Sequence, residues 1–341
     1  MGVFGWAAVL LGGGIALALG AGYWVLTRGV LLTPLAALEA EFKRADSRFI
    51  DIDGLRVHYL DSEPEAGPER PVAVLLHASF MDLASWDGLA AALAPTHRVV
   101  RMDFVGHGLT GSETGGKNMF ALNEEIVDRL TRTLGIASFD LVATSSGGTV
   151  GFRFAAHQPE RVKRLVLINS AGLPRTPATD PNRVREDAVS AYIRRFYRTR
   201  ESWVVDLKRN FPSLETPPEA VLARMHAMNN RERPRVIGGG NPAVVNNETE
   251  KLLPKVKAPT LILWGEANAT VDFLQAEVFQ HWLTEAPSAV IRYRGLGHYP
   301  YLEAPDIVLP DIVAFVNGRM DDRLRRVRAE PYVAAGAAVA P

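Results

Sequence analysis

Short, mostly apolar runs alternate along the chain with longer segments of mixed polarity. Val72–Leu76, Val99–Met102, Phe139–Ala143, Leu165–Ile168, Thr260–Trp264 and Ala289–Tyr293 have the length and character of strands buried on both faces. Between several of them lie helical patterns, such as Met119 to Leu134, which stops at Gly135. Such an alternation predicts a mostly parallel sheet covered by helices on both sides. Ahead of it, the segment Phe49 to Asp61 alternates with period two on either side of Asp53 and Gly54, which predicts a β-hairpin. From about Gly172 to Pro259 the alternation breaks. No clear strand appears there, and the composition turns basic with Arg194, Arg195, Arg198, Arg200, Lys208 and Arg209. Tyr192, Phe196, Tyr197, Trp203, Val204 and Leu207 recur at helical intervals, so the expectation is a helical insertion folded over the sheet.

The two ends differ from this middle. Val3 to Leu26 carries no charge and closes on Tyr23 and Trp24, with Arg28 just beyond. A helix of that length spans the ~30 Å hydrocarbon layer of a bilayer, and the aromatic pair suits its interface. The expectation is a single transmembrane anchor over residues 1–30, which would localise the protein to a membrane, followed by a linker over 31–47. One alternative is a cleaved signal peptide, but there is no Lys/Arg n-region and the apolar stretch exceeds the usual h-region of about 7–15 residues. A buried core helix fits badly at the extreme N-terminus. Gly12, Ala16 and Gly20 have the spacing that lets membrane helices approach, yet so much of this segment is Gly or Ala that chance explains it equally. Residues 319–341 begin with Arg323, Arg325, Arg326 and Arg328 and end in an Ala/Val/Pro run. They predict a disordered, solvated tail, with contact to anionic lipid beside the anchor as the sharper alternative.

Composition narrows the chemistry. With 38 Lys+Arg against 38 Asp+Glu, the basic excess of a nucleic-acid binder is missing. A hydrophobic fraction of 47% with 22% charged residues excludes wholesale disorder. The chain has no cysteine, so disulfides, thiolate metal sites and cysteine nucleophiles are all excluded.

Three segments carry candidate chemistry. In Asp140 to Val150 a strand ends, Ser145 and Ser146 follow, and Gly147 and Gly148 open a helix. Small residues two before and two after a serine let the backbone turn sharply and leave Oγ exposed, with the helix N-terminus adding positive potential where an oxyanion develops. Ala143 stands where the first glycine of such a turn is usual. An ordinary N-cap serine is the bland reading. Spacing to Gly147 favours Ser145 over its neighbour as nucleophile, and Ser146 would then offer its backbone N–H to the oxyanion. The second segment, Leu75 to Phe80 with His77, Ala78 and Ser79, directly follows an apolar strand. The third, Gly295 to Pro305, follows the last strand and holds His298 in a Gly-rich loop, where a general base is expected in this chain order.

Together these segments resemble the α/β-hydrolase family, and the likeness runs from about Ser47 to Gly318. Further support comes from Arg101 to Thr110, similar to the family's loop after its fourth strand, from Pro159 to Gly172, similar to its stretch before the cap, and from Ala258 to Glu266, similar to the strand that carries the acid. The resemblance implies an α/β fold with an eight-stranded, mostly parallel sheet, a core over 48–171 and 258–318, and a helical cap over 172–257 that shapes substrate choice. It implies a Ser–acid–His triad, and an oxyanion hole from the backbone N–H groups of Ser79 and Ser146. Members with an Asp nucleophile are disfavoured by serine at 145.

Two positions depart from the family pattern. The glycine after the family's histidine is Ala78 here, which would strain or shift the oxyanion loop if that position needs φ > 0. The family's acid position reads Asn268, and its second location reads Asn169. Glu266 and Asp272 are the nearest carboxylates in the same loop, and Glu266 is the favoured substitute acid. The implied function is a membrane-anchored serine hydrolase acting on a small ester-like substrate, with no metal and no organic cofactor. The alternatives are a hydrolase-fold protein that binds with little or no turnover, and a perhydrolase, haloperoxidase-like or C–C bond hydrolase activity on the same residues.

Overall fold

The computed structural model describes residues 14, 16–25, 28–63, 65–67, 69–112, 118–173, 188–194, 196–232 and 248–323. Eight strands form one sheet in the order β1-β2-β4-β3-β5-β6-β7-β8. They are β1 (Arg48–Ile52), β2 (Leu55–Asp61), β3 (Val72–Leu76), β4 (Arg98–Met102), β5 (Phe139–Thr144), β6 (Val162–Ile168), β7 (Thr260–Gly265) and β8 (Ser288–Tyr293). The first two pair antiparallel across the predicted turn, where Asp53 and Gly54 both have positive φ and the Gly54 N–H donates to Asp51 Oδ1 at 2.9 Å. β2 runs antiparallel to β4, and every later pairing is parallel.

Successive residues of the central strands alternate between two cores. Leu76, Leu141, Ala143, Leu167 and Trp264 face one side, and Leu75, Val142, Val166, Ile168 and Leu263 the other. The first side is covered by α3 (Met119–Thr133), α4 (Ser146–His157) and α8 (Gln275–Trp282). The second is covered by α2 (Asp87–Leu93), α9 (Pro300–Glu303) and α10 (Pro305–Val316). The predicted stop at Gly135 holds, since φ there is 70°, the left-handed value that ends a helix. Over the insertion the described elements include α5 (Ala188–Ile193), α6 (Arg200–Asn210) and α7 (Glu219–Asn229). Trp203 and Leu207 of α6 are buried in the second core. Arg195, and residues 174–187 and 233–247 of the same insertion, lie outside the described residues.

The expected anchor and membrane localisation are corrected. Among the described residues of this segment, helix occurs at residue 14 and over 16–25. Among the described residues no helix is long and apolar enough to cross a membrane. Residues 1–13, 15 and 26–27, Gly12 among them, lie outside the described residues. The first residues of the expected tail are held to the core, because Met320 is buried and Arg164 pairs with Asp321 at 2.6 Å. Arg325, Arg326 and Arg328 fall outside the described residues.

The segment expected as a linker carries structure of its own. Helix α1 (Leu35–Phe42) buries Leu38 against Leu109 and Met228, and so joins the loop after β4 to the end of α7. Thr33 forms a bridge with Arg231, with Thr33 N–H donating to Asn230 O at 2.9 Å. Arg231 in turn donates to Gly108 O and Thr110 O, both at 2.6 Å. The periodicity of so short a helix is too brief to be seen in the sequence. Replacing the 1%-exposed Leu38 with alanine is expected to cost about 2–5 kcal/mol, measured as a lower urea midpoint with unchanged slope.

Candidate active site

The strand order reverses at the centre of the sheet: the chain leaves β3 for β4 on one side and β5 for β6 on the other. A crevice opens at the carboxyl ends of strands where connections diverge in this way. β3 and β5 are direct neighbours, with Leu76 opposite Ala143, so the loops carrying Ser79 and Ser145 emerge side by side. Loops after β6, β7 and β8 bring Asn169, Asn268 and His298 to the same edge.

Ser145 stands between β5 and α4 with φ 52° and ψ −122°. A side chain in such a region costs about 1–3 kcal/mol, and the surrounding structure must enforce it. Here Ser145 N–H donates to Ile168 O at 3.0 Å, and its carbonyl accepts from Gly148 N–H and Ala171 N–H, both at 2.9 Å. A methyl group at Gly147 would collide with the carbonyl oxygens of Leu76 and His77, so α4 could not start so close to β3 with a larger residue. Ser145 Oγ lies 3.0 Å from His298 Nε2. Ser146 is the first residue of α4, one step beyond the apex of the turn.

His298 is 2% exposed, and its Nδ1 lies 3.1 Å from Asn268 Oδ1. That oxygen also accepts from Thr270 N–H at 2.9 Å and Val271 N–H at 3.1 Å. Two backbone donors fix which end of the amide is oxygen, so Nδ1 of His298 must carry a proton and the neutral ring presents a lone pair at Nε2. Asn268 Nδ2 is buried with no partner among the described residues. Asn268 thus occupies the position where the charge of an acid is expected, and supplies an acceptor without a charge. Glu266 is partly buried, with its N–H donating to Tyr293 O at 3.0 Å, and Asp272 Oδ1 accepts from Leu274 N–H at 2.9 Å.

Asn169 has a different task from the one its sequence position suggests. Its Nδ2 donates to Gly297 O at 3.0 Å and His298 O at 2.8 Å, while Oδ1 accepts from Gly265 N–H at 3.1 Å. It therefore ties the ends of β6 and β7 to the histidine loop. Two further positioning residues had no signal that distinguishes them. Asn210 O accepts the His298 N–H at 2.9 Å, and its Oδ1 accepts from Thr270 Oγ at 2.8 Å. Buried Glu303 accepts from Gly297 N–H at 2.6 Å and Ser213 N–H at 2.7 Å. Glu303 lies in the stretch Gly295 to Pro305 singled out above, but nothing local marks its carboxylate as the clamp between the histidine loop and the insertion.

On the oxyanion side, Ala78 is buried and is absent from the residues with positive φ; the strained position is Phe80, at φ 69°. The alanine is therefore accommodated, and Phe80 is held by Asn229 Nδ2 donating to its carbonyl at 2.8 Å. His77 accepts from Phe104 N–H at Nε2, 2.9 Å, and donates from Nδ1 to Ala78 O, 2.7 Å. Burial holds its imidazole below the usual pKa, which keeps it neutral as this bonding requires. Ser79 N–H, expected to face an oxyanion, donates to Ser146 Oγ at 2.7 Å.

Comparison with known proteins follows the same lines. The family model described as the alpha/beta hydrolase fold matches residues 71–305. The chain is 28% identical over 294 residues to a cis-3-alkyl-4-alkyloxetan-2-one decarboxylase of Shewanella oneidensis, covering 81% of this chain and 88% of that protein. It is 24% identical over 243 residues to a pimeloyl-(acyl-carrier protein) methyl ester esterase of Nitrosomonas europaea, covering 69% of this chain and 92% of that protein. A solved hydrolase from Pseudomonas aeruginosa superposes with a TM-score of 0.65 at 24% identity, over 80% of this chain and 99% of that one, which bears on the fold alone.

Proposed function

The chain belongs to the α/β-hydrolase family, and from that premise we propose that it is a serine hydrolase cleaving carboxylic esters through Ser145. The observation that carries this reading is Ser145 on a strained turn with Oγ 3.0 Å from His298 Nε2. Ser145 Oγ attacks the ester carbonyl carbon while its proton passes to His298 Nε2. The tetrahedral intermediate collapses, the C–O bond breaks, and His298 returns the proton to the leaving alcohol. Water, deprotonated by the same nitrogen, then attacks the acyl-enzyme and releases the acid and Ser145. Asn268 Oδ1 keeps Nδ1 protonated throughout, so the lone pair stays aimed at Ser145. Phe80 and Trp203, in edge contact at 5.5 Å beside the oxyanion loop, favour an apolar acyl or alkyl group over a polar one.

The neutral side chain at 268 favours a second reading, in which the protein binds such a substrate with little turnover. A fluorophosphonate serine probe followed by peptide mass spectrometry separates the two, alongside a panel of p-nitrophenyl esters of increasing acyl length. Labelling at Ser145 with ester turnover is the expected outcome. A folded protein that neither labels nor hydrolyses any member of the panel supports the binding protein instead.

A further inference from the structure

The mechanism above leaves the hydroxyls of Ser79 and Ser146 unused, yet the two are bonded to one another at its centre. Ser146 Oγ accepts from Ser79 N–H at 2.7 Å and from Ser79 Oγ–H at 2.9 Å. A backbone N–H can only donate, so the first of these bonds has one direction. The second joins two hydroxyls, and with Ser79 Oγ–H as the donor both lone pairs of Ser146 Oγ are engaged and its own proton is left to give. Both serines are only partly buried, and Ser146 follows the nucleophile directly.

We propose that Ser146 Oγ–H is itself a donor of the oxyanion hole, and that Ser79 N–H acts on the oxyanion through it. This rests on the reading of Ser145 as nucleophile. Ser146 Oγ occupies the space in front of Ser79 N–H, so a carbonyl oxygen approaching that N–H meets the Ser146 hydroxyl first. Two donors into one hydroxyl polarise it and strengthen the bond it gives. As negative charge develops on the substrate oxygen, it is met by Ser146 N–H and Ser146 Oγ–H together. Ser146 is in this sense a catalytic residue, whereas Ser79 is a positioning residue. The opposite arrangement is a plug, in which the Ser146 hydroxyl blocks Ser79 N–H and must swing away before an oxyanion can bind.

Steady-state hydrolysis of a p-nitrophenyl ester by full-length wild type, Ser146→Ala, Ser146→Thr and Ser79→Ala tests this. Loss of one oxyanion donor lowers kcat by about 10²–10³-fold, and Ser146→Ala is expected at the lower end of that range with KM little changed, since the bond strengthens only in the transition state. Ser146→Thr, which keeps the hydroxyl, should recover most of the lost kcat. Ser79→Ala keeps its N–H and should lose less than Ser146→Ala. A Ser146→Ala enzyme as fast as wild type or faster overturns the proposal in favour of the plug. Equal loss in Ser146→Ala and Ser146→Thr, with both proteins melting as wild type does, also overturns it, because the hydroxyl is then not the active group. Wild type that neither turns over nor labels at Ser145 is a different failure. It removes the reading on which the inference stands.

Discussion

Replacing Ser145 with alanine is expected to abolish both fluorophosphonate labelling and ester turnover. The size of the loss is bounded by two precedents. Removing the nucleophile of a serine protease costs about 10⁶-fold in kcat, while giving its histidine an asparagine partner costs about 10⁴-fold on its own. This chain already has the asparagine, in contact with His298 Nδ1 at 3.1 Å. The drop on losing Ser145 is therefore expected between about 10²- and 10⁶-fold, ending at the residual rate, about 10³–10⁴-fold over water, that the oxyanion hole and substrate binding supply. Ser146→Ala, by contrast, keeps the nucleophile and its backbone N–H and should retain measurable turnover. If the Ser145 variant stays active while the Ser146 variant is dead, the register of the turn is other than described.

Asn268→Asp should raise kcat by tenfold or more, up to a ceiling of about 10⁴ set by the reverse substitution in a serine protease. The carboxylate would inherit the position of Oδ1, with Thr270 N–H and Val271 N–H already pointing at it. Those donors stabilise the ionised form, and the negative charge stabilises the imidazolium formed during attack. It would also remove the buried amide nitrogen that has no partner among the described residues, a group whose burial costs about 1–3 kcal/mol. A stopped-flow or steady-state kcat for the variant decides the matter. An unchanged rate means that charge at 268 does not limit turnover. Because both ring nitrogens of His298 already have partners in Asn268 and Ser145, Glu266→Ala and Asp272→Ala are now expected to have small effects. Neither carboxylate is needed to hold the tautomer.

Much of the sheet was legible because each of its central strands is a short run of apolar residues buried on both faces, a pattern that needs no tertiary information. The hairpin at Asp53 and Gly54 was legible for a related reason, since the turn demands positive φ at two successive positions and the residues that tolerate it are few. The apolar N-terminus misled, because absence of charge is a statement about composition, whereas crossing a bilayer needs a helix of sufficient length, and none stands among the described residues. Helix α1 was missed for the opposite reason. Its burial rests on Leu38 meeting Leu109 and Met228, residues far away along the chain.

The site divides in the same way. Ser145, Ser146 and His298 are marked by local context, because a tight strand-to-helix turn and a Gly-rich loop leave their trace in neighbouring residues. Asn268 and Asn169 look alike in sequence, two asparagines where an acid is usual, yet one meets the histidine ring and the other holds the backbone behind it. The sequence alone determined the α/β class, the order of strands along the chain and which serine stands at the turn, all properties of residues close together in the chain. Tertiary structure decided which side chain meets His298 Nδ1, that Asn210 and Glu303 clamp its loop, and that Ser146 Oγ faces Ser79 N–H. These are contacts across a crevice where five strand ends converge, and a hydrogen bond there depends on ångström-scale placement that no local pattern encodes.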